Sequence, residues 1–330
     1  MTVNVGLIGC GGIANPHVKG YLQIPDKAKV TAVADVVEDN AKRRADQLGG
    51  AQIFSDYKEM IANADIQAVD ICLPHHLHAD AIIAAANAGK HILCEKPLCI
   101  TTAEAEAVTK AIKDNGVTLM CAHNQLFSPP IAKARELIQS GALGKVFELR
   151  TTDSFFNGGL NKDMGWRGSL DTAGGGELID TGYHPTYMLL HLATDVPTEV
   201  VAMTSRHRLE MQGEDSAQVL IRFADGSVGN IVTSWAYVPA STTERFSVVA
   251  EKGNLWSDGK SLTTFIDKET TTHDFDPVDG FAAEIEDFIG CVTEGRRPIN
   301  TEVEGINVLK VILGAYASVK DGKIVKLADL

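Results

Sequence analysis

From residue 3 to about residue 123, short apolar runs alternate with longer amphipathic ones, the pattern of buried parallel strands joined by crossover helices. Residues 3–8, 30–34, 68–73, 91–94 and 118–122 read as strands. Their apolar runs are continuous because both faces of a parallel sheet are covered. Residues 41–48, 79–88 and 103–115 carry the helical period, and Gly89 and Gly116 stand where two of these helices should end. A helix is also expected to open directly after the first strand. The pattern predicts an α/β domain over residues 1–123, with a doubly wound parallel sheet of the Rossmann type.

After Pro129 and Pro130 one helix is expected over 131–139, and then the pattern changes. Strand-like runs follow one another at 145–153, 199–206, 217–223, 228–235, 245–250 and 262–266. The tetrad Phe223-Ala224-Asp225-Gly226 predicts a hairpin closed by a type I′ turn, in which Asp-Gly takes the two positive φ angles. Helices over 280–294 and 303–320 end the chain. Residues 124–330 are therefore expected to form an α+β domain on an open, mostly antiparallel sheet.

A length of 330 residues suits two domains of ordinary size, and 45% hydrophobic with 22% charged residues is the composition of a soluble globular chain. Acidic residues outnumber basic ones 43 to 30, and the net charge of −13 repels a phosphate backbone, so nucleic acid is not expected as a partner. No apolar run approaches the roughly 18 residues that span a bilayer. The first residues lack the basic segment of a signal peptide, so a cytoplasmic location is expected. None of the six cysteines forms a Cys-x-x-Cys pair, and buried free thiols are the expectation.

Candidate chemistry begins at Gly9-Cys10-Gly11-Gly12-Ile13-Ala14, a Gly-x-Gly-x-x-Ala loop between a strand and a helix. Gly9 permits the tight turn, Gly11 lets the backbone approach a pyrophosphate, and Ala14 allows close helix packing. The helix N-terminus beyond Gly12 and Ile13 offers N–H groups to the anion. Asp35, 21 residues past Ala14, ends the second strand, where a carboxylate accepts from ribose hydroxyls and repels a 2′-phosphate. Arg43 and Arg44, at least eight residues further on in a helix, read as poorly placed to offset that repulsion. NAD is expected in preference to NADP.

The fourth and fifth strands deliver Leu73-Pro74-His75-His76 and Glu95-Lys96-Pro97 to the same carboxyl edge, where open α/β sheets bind ligands. Leu73, Pro74, His76, Glu95 and Lys96 are accordingly candidate cofactor contacts. Lys96 is held extended by Pro97, with a cis bond one option, and its ammonium can polarise a carbonyl. A surface lysine is the plain alternative. Further on, Gly174-Gly175-Gly176 leads through Asp180 to His184-Pro185. Pro185 belongs in a first helical turn, so Asp180 and His184 should flank the mouth of that helix, four residues apart. An N-cap Asp beside a structural His is the alternative there. His75, His76 and His78 cluster without zinc spacing, so no metal is expected, and His78 reads as capping or packing against the next helix.

Together the glycine loop, the run from Ala88 through Glu95-Lys96-Pro97, and Gly175-Gly176 through Asp180 to His184 resemble the glucose-fructose oxidoreductase / inositol dehydrogenase (Gfo/Idh/MocA) family over essentially the whole chain. The resemblance implies a Rossmann domain followed by an α/β domain whose open sheet supports a homodimer or homotetramer. It implies that Lys96, Asp180 and His184 form the catalytic group of an NAD-dependent oxidoreductase acting on a secondary alcohol of a sugar or inositol-like polyol. His184 would take the hydroxyl proton, Asp180 would orient it and bind substrate, and Lys96 would stabilise the developing alkoxide. Trp166-Arg167 resembles an element placed near cofactor and substrate, Asn157-Gly158-Gly159 is a candidate mobile loop beside it, and Asn124 and Gln125 stand at the entry to the second domain. Asn124, Asn157, Trp166 and Arg167 join the trio as candidate substrate contacts. Two other readings use the same residues: a redox-neutral enzyme that keeps its NAD while a substituent is eliminated, and a non-catalytic nucleotide or sugar sensor.

Overall fold

The computed structural model describes residues 2–158, 164–238 and 243–330. The chain folds as two compact units, one of residues 1–124 with 279–306 and one of residues 125–278 with 307–330. The first begins β1 (Val3–Ile8), α1 (Ala14–Gln23), β2 (Ala28–Ala34), α2 (Glu38–Gln47), β3 (Gln52–Phe54), α3 (Tyr57–Asn63), β4 (Ala68–Ile71), α4 (His78–Asn87), β5 (His91–Glu95), α5 (Thr102–Asn115) and β6 (Leu119–Ala122). Its six strands are all parallel, in the order β3-β2-β1-β4-β5-β6. The order reverses between β1 and β4, which places the carboxyl ends of those strands at the crevice where such sheets bind ligands. The strands expected from the pattern are present with ends shifted by a few residues. β3 and α3 were not legible, because Gln52 and Ile53 lie exposed on a three-residue edge strand and leave no apolar run.

The second unit contains α6 (Pro129–Gln139), β7 (Val146–Ser154), α7 (Leu170–Ala173), α8 (Glu177–Asp180), α9 (Tyr183–Leu192), β8 (Pro197–Ser205), β9 (Ser216–Phe223), β10 (Val228–Ser234), β11 (Phe246–Ala250), β12 (Gly253–Ser257), β13 (Ser261–Ile266) and β14 (Glu269–Asp274). α10 (Gly280–Glu294), α11 (Glu302–Asp321) and β15 (Val325–Lys326) complete the chain. The nine-stranded sheet runs β14-β13-β12-β11-β7-β10-β9-β8-β15, antiparallel throughout except at β7–β10. Val219, Ile221 and Phe223 of β9 and Ile231 of β10 point inward to the core, and α9 packs across β7 and β10 on that side. The other face carries alternate residues such as Gln218, Leu220 and Met203 to the surface.

The hairpin at residue 223 corrects the expected turn. Gly226 N–H bonds the Phe223 carbonyl and Ser227 pairs back to Phe223, and only Gly226 has positive φ. Asp225 keeps negative φ and its carboxylate takes the Ser227 N–H and hydroxyl, so the connection is a tight turn followed by a glycine bulge. The type I′ pattern of two positive φ angles falls instead at Asp267-Lys268, between β13 and β14.

α10 returns to the first unit and crosses α1 at Gly20, where an added Cβ would lie 2.6 Å from Ile285 and 3.2 Å from the Ala282 backbone. Glycine allows that approach without displacing the Ile285 side chain. All six cysteines are buried thiols that form no disulfide, as the sequence suggested. Among the described residues no helix is long and apolar enough to cross a membrane.

Candidate active site

In the first unit the glycine loop leaves β1 at Gly9, whose φ of +88° and approach to β4 exclude a side chain. An added Cβ would lie 2.4 Å from the Cys72 carbonyl oxygen. Over Gly11 and Gly12 an added Cβ would meet nothing within 4 Å. α1 begins at Ala14 with no side-chain cap, leaving first-turn N–H groups available to an anion. The open space above the two glycines and the uncapped helix fit a pyrophosphate, and the residues present therefore fit a dinucleotide.

Asp35 pins this loop. Its Oδ2 accepts the Cys10 N–H at 2.7 Å and its Oδ1 the Val37 N–H at 2.8 Å. The arginines correct the expectation, because α2 turns both guanidinium groups back toward the loop. Arg44, almost fully buried, donates to the Gly11 carbonyl at 2.7 Å and to Asn15 at 3.0 Å. Arg43 bonds Asn40 at 2.8 Å and lies 3.5 Å from the Cys10 carbonyl. Eight residues of sequence separation are closed by one strand-turn-helix, so positive charge stands beside Asp35's loop.

The carboxyl end of β5 carries Glu95 and Lys96, and the Lys96–Pro97 peptide is cis. Glu95 is buried, its Oε2 accepts the Lys96 N–H at 3.1 Å, and its Oε1 lies 3.0 Å from Nε2 of His17. His17 Nδ1 lies 2.8 Å from Asp70 Oδ2. Asp70, Cys72 and His17 bring three potential metal-ligand atoms within 4.8 Å of one another. The His17–Asp70 spacing is that of a hydrogen bond, with a proton between the two atoms. Leu73, Pro74 and His76 follow β4, with Pro74 leading into a short 3-10 turn of His75–Leu77. His78 does not cap its helix. Its buried ring reaches the carbonyls of Pro97 at 2.6 Å and Leu73 at 2.8 Å, tying the ends of β4 and β5 together.

In the second unit Asp180 closes α8 and His184 is the second residue of α9, so both flank that helix's start as Pro185 required. The three glycines before them are there for different reasons: Gly174 has φ +82°, Gly175 lies under Tyr316, and Gly176 passes the Glu214 backbone where a Cβ would sit 2.2 Å from its carbonyl oxygen. Asp180 Oδ2 accepts from Arg167 Nε at 2.6 Å, and the Arg167 guanidinium lies 4.2 Å over the Trp166 ring. Trp166, Arg167 and Asp180 are thereby brought together. His184 Nδ1 is 2.8 Å from the Tyr187 hydroxyl, which accepts the Gln125 N–H at 3.3 Å. Gln125 is committed further, its side-chain oxygen accepting from Arg245 at 2.9 Å, while Arg245 pairs with Asp153 at 2.6 Å. Asn157 donates its N–H to the Trp235 carbonyl at 3.1 Å, and Asn124 ends the first unit. Gly159, the last residue of the candidate loop, lies outside the described residues.

Sequence reasoning missed His17 and Tyr187, and it named Arg44 and His78 without their contacts at these sites. The available signal for His17 was a polar residue on the stripe Ala14, Val18 and Tyr21 that α1 buries.

Residues 3–123 match the family model described as oxidoreductase family, NAD-binding Rossmann fold, and residues 131–256 match the one described as GFO/IDH/MocA C-terminal domain. The chain is 31% identical to D-xylose 1-dehydrogenase (NADP(+)) 2 of Haloferax volcanii, over 98% of this chain and 99% of that one. It is 28% identical to myo-inositol 2-dehydrogenase of Thermotoga maritima, over 99% of each. A solved structure of levoglucosan dehydrogenase in complex with NADH and levoglucosan superposes with a TM-score of 0.93 at 26% identity, covering 99% of this chain and 100% of that one.

Proposed function

Because the chain belongs to the Gfo/Idh/MocA oxidoreductase family, we propose that it transfers hydride between nicotinamide and a secondary alcohol or ketone of a sugar or inositol-like polyol. The observation that carries this reading is the first unit's carboxyl edge, where an open glycine loop after β1, the Asp35 carboxylate after β2 and the Glu95-Lys96-Pro97 turn after β5 all stand at the same end of one parallel sheet. Residues 1–123 serve the cofactor and residues 124–330 the substrate and assembly.

Gly9, Gly11, Gly12, Ile13 and Ala14 would hold the pyrophosphate, Asp35 the adenosine ribose, and Leu73, Pro74, His76, Glu95 and Lys96 the remainder. The bound dinucleotide supplies the hydride acceptor. Lys96, Asp180 and His184 form the catalytic group. Nε2 of His184 accepts the hydroxyl proton, which requires Nδ1 to carry its hydrogen and donate it to Tyr187. Asp180, held by Arg167, binds and orients the substrate, and the Lys96 ammonium stabilises the alkoxide as its proton leaves. Asn124, Asn157 and Trp166 complete the substrate contacts.

NAD is the preferred cofactor in this reading, since Asp35 opposes a 2′-phosphate, while Arg43 beside the loop keeps the margin over NADP narrow. A second copy covers the outer face of the nine-stranded sheet. Six buried cysteines outside any disulfide suit the reducing cytoplasm, where we place the protein.

The test is a panel of inositols, aldoses and keto-sugars with NAD and NADP, followed by absorbance, with Lys96→Ala alongside. One or more polyols should give free NADH in step with product, and Lys96→Ala should lower kcat by at least about 100-fold. Product without free NADH would mean the redox-neutral elimination, and no turnover across the panel would mean a sensor.

A further inference from the structure

His17 takes no part in the mechanism above, yet it is among the most heavily engaged side chains of the first unit. Its ring is fully buried, between Asp70 at 2.8 Å and Glu95 at 3.0 Å. Carboxylate oxygens only accept, and a neutral imidazole has one N–H. A neutral ring would satisfy one carboxylate and turn a lone pair on the other. The doubly protonated ring satisfies both.

The surroundings agree. Tyr21 from α1, Cys72 after β4, and Glu284 from α10 face the same group, and the Phe281 ring of α10 lies 5.4 Å away. Burial alone pushes an imidazole down, but the Asp70 carboxylate 2.8 Å away outweighs it and holds His17 well above its ordinary value. Glu95, which burial alone would raise, is held low chiefly by its bond to His17. Burial drives Glu284 well above the carboxylate range, and neither of its side-chain oxygens has a hydrogen-bond partner, so at neutral pH it adds no charge. One cation between two anions leaves a single negative charge, matched by the Lys96 ammonium next along the chain.

The mechanical link is as direct. Glu95 spends one oxygen on His17 and the other on the Lys96 N–H at 3.1 Å. His17 itself rides on the helix that opens from the glycine loop. We infer that His17, held as an imidazolium between Asp70 and Glu95, is a positioning residue that locks the backbone of Lys96 and couples it to the phosphate-binding helix. The inference rests on the proposed role of Lys96.

Two measurements test it. First, His17→Gln should lower kcat about 100-fold with a far smaller loss of NAD affinity, because a lysine displaced by about an ångström loses its alignment while the glycine loop remains. Adding Asp70→Asn to that variant removes the carboxylate left uncompensated, and should restore the melting temperature without restoring kcat. Joint recovery of both would overturn the inference, since His17 would then serve only to balance buried charge. Second, in wild-type protein carrying 15N-labelled histidine, both ring nitrogens of His17 should remain protonated well above the ordinary imidazole range. Titration near the ordinary value of 6.5 would overturn it without any variant having to fold. Lys96→Ala separates the two readings: turnover retained there removes Lys96 from the mechanism, whereas turnover lost there but kept in His17→Gln removes His17 alone.

Discussion

Gly9 and Gly11 stand two residues apart in one loop, yet a methyl group on each meets a different fate. At Gly9 it must adopt φ +88° and strike the Cys72 carbonyl, while at Gly11 it enters open space. Gly9→Ala should therefore cost the apo protein about 1–3 kcal/mol or more in denaturant unfolding. Gly11→Ala should leave unfolding unchanged and weaken NAD in titration calorimetry. Equal effects of both on unfolding would contradict this division of labour. Asp35→Ala should narrow the ratio of kcat/KM for NAD over NADP, because it removes the charge opposing a 2′-phosphate and leaves Arg43 in place. An unchanged ratio would remove Asp35 from the ribose site. The placement of Asp35, Lys96 and His184 was legible in the sequence because each sits at a strand end or beside a proline that fixes its backbone. His17 and Arg44 lie inside helices, where local pattern says which face is buried but not which distant carboxylate or carbonyl lies opposite.

Among the elements, the expected strands of the first sheet are continuous apolar runs buried on both faces, and hence readable. β3, β12, β14 and β15 were missed because two are short edge pieces, one is Thr-rich and exposed, and one follows its neighbour after a two-residue turn. The segment before β9 shows how an irregular stretch is fixed without regular pairing. Oδ2 of the buried Asp215 accepts the N–H groups of His207, Arg208 and Leu209 at 2.7–3.1 Å, holding Leu209 and Met211 against Trp235. Burial alone would raise this carboxyl, but those three donors and Ser216 hold it below the ordinary 3.8. A depressed folded value means that the stabilisation is present above the unfolded value and is lost as pH falls through the folded one. Asp215→Asn should cost about 1–3 kcal/mol at pH 7 in urea unfolding, and the gap from wild type should narrow only below about pH 4. A gap that stays constant down to about pH 3 would show that the charge contributes nothing.

For the whole molecule, composition and charge suggested a two-part chain, and the proposed assembly draws on the outer sheet face. Met203, 82% exposed, and Leu220, 48% exposed, stand on adjacent strands with Trp256 further along the same face. If a second copy covers this face, Met203→Asp with Leu220→Arg should shift the mass by light scattering from oligomer to monomer while NAD still binds. A monomeric wild type, or an unmoved double variant, would end that proposal. The return of α10 has a different consequence, for the order in which the molecule comes into being. On the ribosome, β1 to β6 emerge first, but the helix that lies on α1 follows only after another 154 residues. At typical elongation rates that is a delay of roughly 8 to 30 s. Throughout it the nascent nucleotide domain exposes the groove at Gly20 where Ile285 will lie, so newly made chains should recruit a trigger-factor-like holdase until synthesis is nearly over.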